Sequence, residues 1–187
     1  MEADLSNELF IVLTLPQKDL SAALKIQELI SKEYNLYPHN NYPELHITLN
    51  RINKKEITTG KKILNEIATD INKVNINITN LECLMTKESF IVLEVKETET
   101  LTKLANKLHS KLTQAGISSI NNYNNWKFHI TLISNFLTAN PIPQPELKKL
   151  CLNLDGLGQP ISTSAKAIEI WRPTLDSDKK VITSIKL

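Results

Sequence analysis

The hydrophobic pattern of this chain repeats itself. Residues 8–15 read ELFIVLTL and residues 88–95 read ESFIVLEV, two β-branched runs that predict buried strands. An amphipathic stretch follows each, Lys18 to Glu33 in the first copy and Thr98 to Ala115 in the second. In the second, Leu101, Leu104, Ala105, Leu108 and Leu112 recur at helical spacing, and Gly116 stands where a helix-ending glycine belongs. A polar loop with a tyrosine comes next, HNNYPE or NNYNNW, and leads into LHITLN at 45–50 or FHITLI at 128–133. FIVL and HITL therefore each occur twice, in the same order and at nearly equal separation. Two copies mean a pseudo-twofold duplication and not a solenoid.

The remaining segments fill in the same rhythm. A helix is predicted near 60–72 and a strand near 74–84. After the Pro-punctuated NPIPQPE come a short helix near 146–150 and strands near 166–172 and 181–187. Strands alternating with helices, with hairpin-like strands at the end, predict an α+β protein of two lobes. Lobe one would span about 1–86 and lobe two about 87–187, within a single domain covering 1–187.

Composition narrows the function classes. Hydrophobic residues make up 41% and charged residues 22%, the balance of a soluble protein with a sizeable core. Lys and Arg number 22 against 20 Asp and Glu, so the formal charge is only +2. That suits a compact partner, a small nucleotide or short oligonucleotide, better than a long polymer held by bulk electrostatics. With 4 glycines, the chain has neither GxGxxG nor GxxxxGK[ST]. The acidic start, MEADLSNELF, and the lack of a long apolar run predict neither signal peptide nor membrane span. A cytoplasmic monomer is the expectation. Cys83 and Cys151 lie in apolar surroundings (LECLM, LCLNL) and are expected to be buried, reduced, inert thiols.

The chemistry concentrates in the two HITL segments. Alternate side chains of a strand share a face, so His46 and Thr48 point together, opposite Ile47 and Leu49. His129 and Thr131 do the same, opposite Ile130 and Leu132. A twofold relation between the lobes would set the two pairs facing each other across a groove. Two imidazoles can serve as general base and general acid at a phosphodiester, since histidine titrates near neutrality. Two threonine hydroxyls can donate to the non-bridging oxygens. Two histidines fall short of the three protein ligands usual for catalytic zinc, and neither cysteine neighbours a histidine, so no metal site is expected. His39, in a polar loop, and His109, beside Leu108, read as ordinary surface residues.

Paired His-x-Thr-x motifs in a duplicated α+β chain resemble the 2H phosphoesterase superfamily, which includes the 2′,5′ RNA ligase-like proteins and cyclic phosphodiesterases. The likeness extends over nearly the whole chain, through the FIVL strands and intervening helices. It implies a bilobed fold with antiparallel sheets lining a central cleft, helices outside, and no cofactor. It also implies that His46 and His129 are the acid/base pair and that Thr48 and Thr131 bind phosphate. The function so implied is a metal-independent phosphodiesterase acting on a 2′,3′-cyclic, 2′,5′-linked or cyclic oligonucleotide. A non-catalytic nucleotide- or RNA-binding module and a reversible 2′,5′ RNA ligase stand as alternatives.

Further substrate contacts follow from position. Phe10 and Phe90 lie opposite Ile11 and Ile91 and are placed either to wall the cleft on both sides or to fill it. Tyr42, Tyr123, Trp126 and Lys127 lie in the loops leading into the motifs, and strand parity would turn Lys127 to the face of His129 and Thr131, which makes it the expected extra phosphate contact. On the strand AIEIWR, Ile168 and Ile170 take the core face, leaving Glu169 and Trp171 on the opposite one, where Trp171 either stacks on a base or packs at the junction of the lobes. Arg172 ends the strand as a further substrate-contact candidate. Arg51, beyond the first motif, follows the parity of neither motif residue clearly.

Overall fold

The computed structural model describes residues 7–71, 73–85 and 89–187. The first six residues and the expected lobe boundary at 86/87 lie outside the described residues. The strands are β1 (Glu8–Thr14), β2 (His46–Asn53), β3 (Asn75–Met85), β4 (Ser89–Lys96), β5 (His129–Ser134), β6 (Ile161–Ser164), β7 (Ala167–Trp171) and β8 (Val181–Lys186). The helices are α1 (Ser21–Glu33), α2 (Ile57–Ala68), α3 (Glu99–Gln114), α4 (Gln144–Leu154) and the single turn α5 (Ser177–Lys180). Both HITL segments and both FIVL segments are strands, as the alternation predicts. Gly116 closes α3 at φ +69°, a conformation that a Cβ would strain. The sequence pattern did not reveal β6 or α5. Both are four residues long, too short to carry a period.

Among the described residues the strands form one antiparallel sheet in the order β6-β3-β4-β5-β2-β1-β7-β8. The α+β, pseudo-twofold expectation holds, but the lobes are not consecutive halves of the chain. β3 lies with β4, β5 and β6, while β7 and β8 return to flank β1. Each half thus takes a strand or hairpin from the other half of the sequence. The joint between them is slender: β2 and β5 meet in the single register pair Ile47↔Ile130.

One face of the sheet carries the helices and the core. α1 packs on β5, α2 and α3 on β2, and α4 on β3 and β4. Ile47, Leu49, Ile130 and Leu132, the apolar halves of the two motifs, are all buried in this core. Gln27 is a buried polar residue of α1 whose amide donates to the carbonyls of Pro43 (3.0 Å) and Leu132 (3.2 Å). It ties the loop before one motif to the strand of the other.

The expectation of reduced thiols is overturned. Cys83 on β3 and Cys151 on α4 form a disulfide, their Cα atoms 5.7 Å apart, which is within bridging range. Their apolar surroundings are the same surroundings, because α4 lies against β3. Among the described residues no helix is long and apolar enough to cross a membrane.

Candidate active site

The face of the sheet opposite the helices borders a cavity of about 1050 Å³, ample for a nucleotide. His46, Thr48, His129 and Thr131 all line it. The two motifs thus converge as the duplication predicts.

Each histidine is held in the same way. His46 Nδ1 lies 2.8 Å from the Glu44 carbonyl, and His129 Nδ1 lies 2.9 Å from the Lys127 carbonyl. A carbonyl only accepts, so Nδ1 carries the hydrogen in both rings and Nε2 is left for the cavity. When neutral, Nε2 accepts a proton; when charged, it donates one. The device arises because each motif is preceded by a non-helical segment whose carbonyl two residues back turns to the ring.

The environments of the two rings differ. Burial pushes the His46 imidazole below the ordinary histidine value of 6.5. The Glu44 hydrogen bond and carboxylate act the other way, while the nearby charges of Lys180 and His129 add to the lowering. Lys180 pairs with the Glu44 carboxylate, and its ammonium sits 4.2 Å from the centre of the Trp171 ring. Trp171 in turn packs on His46, the ring centroids 4.7 Å apart. Nothing in the sequence pattern points to Lys180, because α5 reaches the site from the far end of the chain. Tyr37, also on the wall, is pushed up to about 12 by burial and stays neutral. Of the side chains on the wall, the imidazoles are the ones suited to exchange protons near pH 7.

A β-bulge in each motif strand adds a residue to the wall. On β2 the register steps from Val12↔Thr48 to Ile11↔Asn50, so Leu49 has no partner. On β5 it steps from Val92↔Thr131 to Ile91↔Ile133, so Leu132 is the extra residue. Parity reverses past each bulge. Arg51 and Ser134, which stand at equivalent places after the two motifs, are thereby turned to the cavity and line it. Simple alternation would have sent both to the core. Asn50 holds the first bulge. Fully buried, it accepts from the Arg51 amide (2.8 Å) and the Ser118 hydroxyl (3.0 Å), with its amide group 3.1 Å from His109 Nδ1.

Of the other expected contacts, Phe10, Phe90, Tyr42, Trp171 and Arg172 line the cavity. Trp171 is only 3% exposed, sandwiched by His46 and Lys180, and so is not open for base stacking. Arg172 donates from Nη1 to the Lys179 carbonyl (2.7 Å), bracing α5. Tyr123 and Lys127 do not line the cavity. Tyr123 stacks on His109 at 3.7 Å, which also takes His109 out of the class of free surface histidines. Lys127 precedes the start of β5, so strand parity does not reach it; its side chain is exposed and its carbonyl does the work of holding His129. Among the described residues no group of three or more His, Cys, Asp or Glu is placed to hold a metal ion.

The family model of the AKAP7 2'5' RNA ligase-like domain matches residues 9–178. No curated protein matches the sequence. Among solved structures the chain is similar to TT0787 of Thermus thermophilus, with 16% identity, 96% of this chain and 97% of that chain covered, and a TM-score of 0.64. It is similar to a phosphoesterase at 17% identity, 97% and 98% coverage and a TM-score of 0.58. LigT of E. coli complexed with 3'-AMP gives 16%, 97%, 98% and 0.56. At these identities the likeness to the solved structures is one of fold.

Proposed function

The chain belongs to the AKAP7 2'5' RNA ligase-like domain family, within the 2H phosphoesterase superfamily, and from that premise we propose that it is a phosphodiesterase acting on a small nucleotide by two-histidine acid/base catalysis. The observation that carries the reading is the matched pair of imidazoles in one cavity, each fixed through Nδ1 by a carbonyl two residues earlier.

His46, neutral at pH 7, takes the proton of the attacking oxygen at Nε2. His129 gives a proton from Nε2 to the leaving oxygen. The Thr48 and Thr131 hydroxyls donate to the non-bridging oxygens as charge builds on phosphorus. With the free neighbouring ribose hydroxyl as attacker (3′ in a 2′,5′ linkage, 2′ in a 3′,5′ linkage) the 5′-oxygen leaves and the product is a 2′,3′-cyclic phosphate; with water it is a monoester. Substrates in view are 2′,3′-cyclic, 2′,5′-linked and cyclic oligonucleotides, and LigT's complexes with 3'-AMP and ATP accord with a nucleotide-sized ligand. The ligase-like description of the family favours one further reaction, the joining of 2′,3′-cyclic phosphate ends to 5′-hydroxyl ends by the same proton transfers in reverse.

The test is a panel of 2′,3′-cyclic, 2′,5′- and 3′,5′-linked compounds incubated with the protein in EDTA, with 5′-hydroxyl RNA added in a parallel arm. Turnover of at least one compound is expected. A ligand that binds and is recovered unchanged throughout would make the protein a binding module.

The pH profile provides a second check. With His46 held below 6.5, the acidic limb of kcat/KM is expected to lie below pH 6.5. Lys180→Met removes a charge that opposes imidazolium formation and frees the Glu44 carboxylate, which favours it. Both effects raise the His46 pKa, so the limb moves to higher pH. The limb reports the coupled pair and not one ring alone. A limb that stays in place or moves down would remove Lys180 from the account.

A further inference from the structure

The internal duplication makes the two ends of the cleft comparable, and they do not match. β2 and β5 run antiparallel from their crossing at Ile47↔Ile130, so Arg51 and Ser134 lie toward opposite ends. Arg51 is three residues beyond Thr48, roughly 10 Å at about 3.3 Å per residue. One end therefore carries a guanidinium where its twofold counterpart carries a hydroxyl. We propose that the Arg51 end is a second anion subsite, and that the substrate bears a terminal phosphate monoester one nucleotide away from the phosphodiester that is cleaved. This rests on the phosphodiesterase reading and names the substrate class within it.

Arg51 is built for that role. Phe10 stands directly across from it on β1, and the guanidinium carbon lies 5.9 Å from the centre of the Trp126 ring. Trp126 is itself anchored by an Nε1 hydrogen bond to the Thr48 carbonyl at 3.2 Å. Glu8 engages one Nη at 3.0 Å and sets the orientation of the group. Nε is buried and has no hydrogen-bond partner among the described residues. A buried donor without an acceptor is costly, so a guanidinium that turns from Glu8 to present Nε and Nη to a phosphate, in the forked geometry that guanidinium favours, recovers that cost. A nucleobase can lie against Trp126 or Phe10 beside it.

At the opposite end the equivalent position carries no charge, and Lys180, which reaches the cavity from α5, is already paired with the Glu44 carboxylate. Ser134 is joined there by Tyr37, whose hydroxyl faces the Ser134 carbonyl at 3.5 Å, and by Phe136 and Leu137. Leu137 is 41% exposed and sits at φ +59°, an apolar side chain held in a disfavoured backbone conformation on the cavity wall. It suits the leaving nucleoside.

The experiment compares kcat/KM for paired substrates: 2′,5′-linked diadenylate with a 5′-hydroxyl or a 5′-phosphate, and adenosine 2′,3′-cyclic phosphate with and without a 5′-phosphate. The intact protein is expected to prefer the phosphorylated member by about 10- to 100-fold, the usual range for a charge-assisted contact. Arg51→Gln should bring that ratio close to one, and Glu8→Gln, which removes a competing carboxylate, should raise it. Equal turnover of both members by the intact protein overturns the subsite and leaves the phosphodiesterase reading standing. Turnover of neither member of either pair, with no activity across the wider panel, overturns that reading and the subsite with it. Should Arg51→Gln lower both members alike, Arg51 is structural and the subsite is refuted.

Discussion

Turnover is expected to fall by about 10²- to 10⁴-fold in His46→Ala, and by a similar factor in His129→Ala, the usual contribution of a positioned acid or base. Each ring lines the cavity with Nδ1 bound to a carbonyl and Nε2 left for a substrate, so in the proposed mechanism alanine removes the proton acceptor in one case and the donor in the other. The double variant should lose little more than the worse single one, because in the proposed mechanism the two rings act on one bond-making and bond-breaking event. The substrate for the assay is whichever compound the panel identifies. Thermal unfolding of each variant separates lost chemistry from lost fold, a needed control for His46, which packs on Trp171. Full activity in either variant would end the two-histidine mechanism.

Stability should respond most to the disulfide. Cys83 and Cys151 are separated by 68 residues, and closing a loop of that length restricts the unfolded chain by about 4 kcal/mol in the chain-entropy account. Cys151→Ser is accordingly expected to lower the unfolding midpoint by roughly 8–16 °C for a domain of this size. Reductant should produce the same loss in the intact protein and none in the variant. Activity should be retained, because no described residue of β3 or α4 lines the cavity. A melting curve indifferent to both reductant and substitution would mean that the bridge contributes nothing in solution.

Much of the site was legible because its logic is local. Two copies of HITL fix which side chains share a face, since strand alternation depends only on neighbouring residues. The placement of His46 and Thr48 with His129 and Thr131 followed from the duplication, as did Phe10 and Phe90 on the walls. Alternation sets Trp171 on the cavity face, but its packing between His46 and Lys180 belongs to contacts between β7, β2 and α5. Lys127 lies off the cavity for a different reason: it precedes the residue where β5 begins, so strand alternation does not reach it.

By itself, then, the sequence determined the repeat, the strand faces, the helix-facing core and the four motif residues, all of which rest on spacing within short segments. Tertiary structure alone decided the exchange of β3 and the β7–β8 hairpin between the two halves, the Cys83–Cys151 bridge, the arrival of Lys180 beside His46, and the bulges that turn Arg51 and Ser134 inward. The reason is that a bulge, a strand order and a cross-chain contact are properties of pairing. Pairing is settled by which surfaces bury each other, and distance along the chain does not encode that.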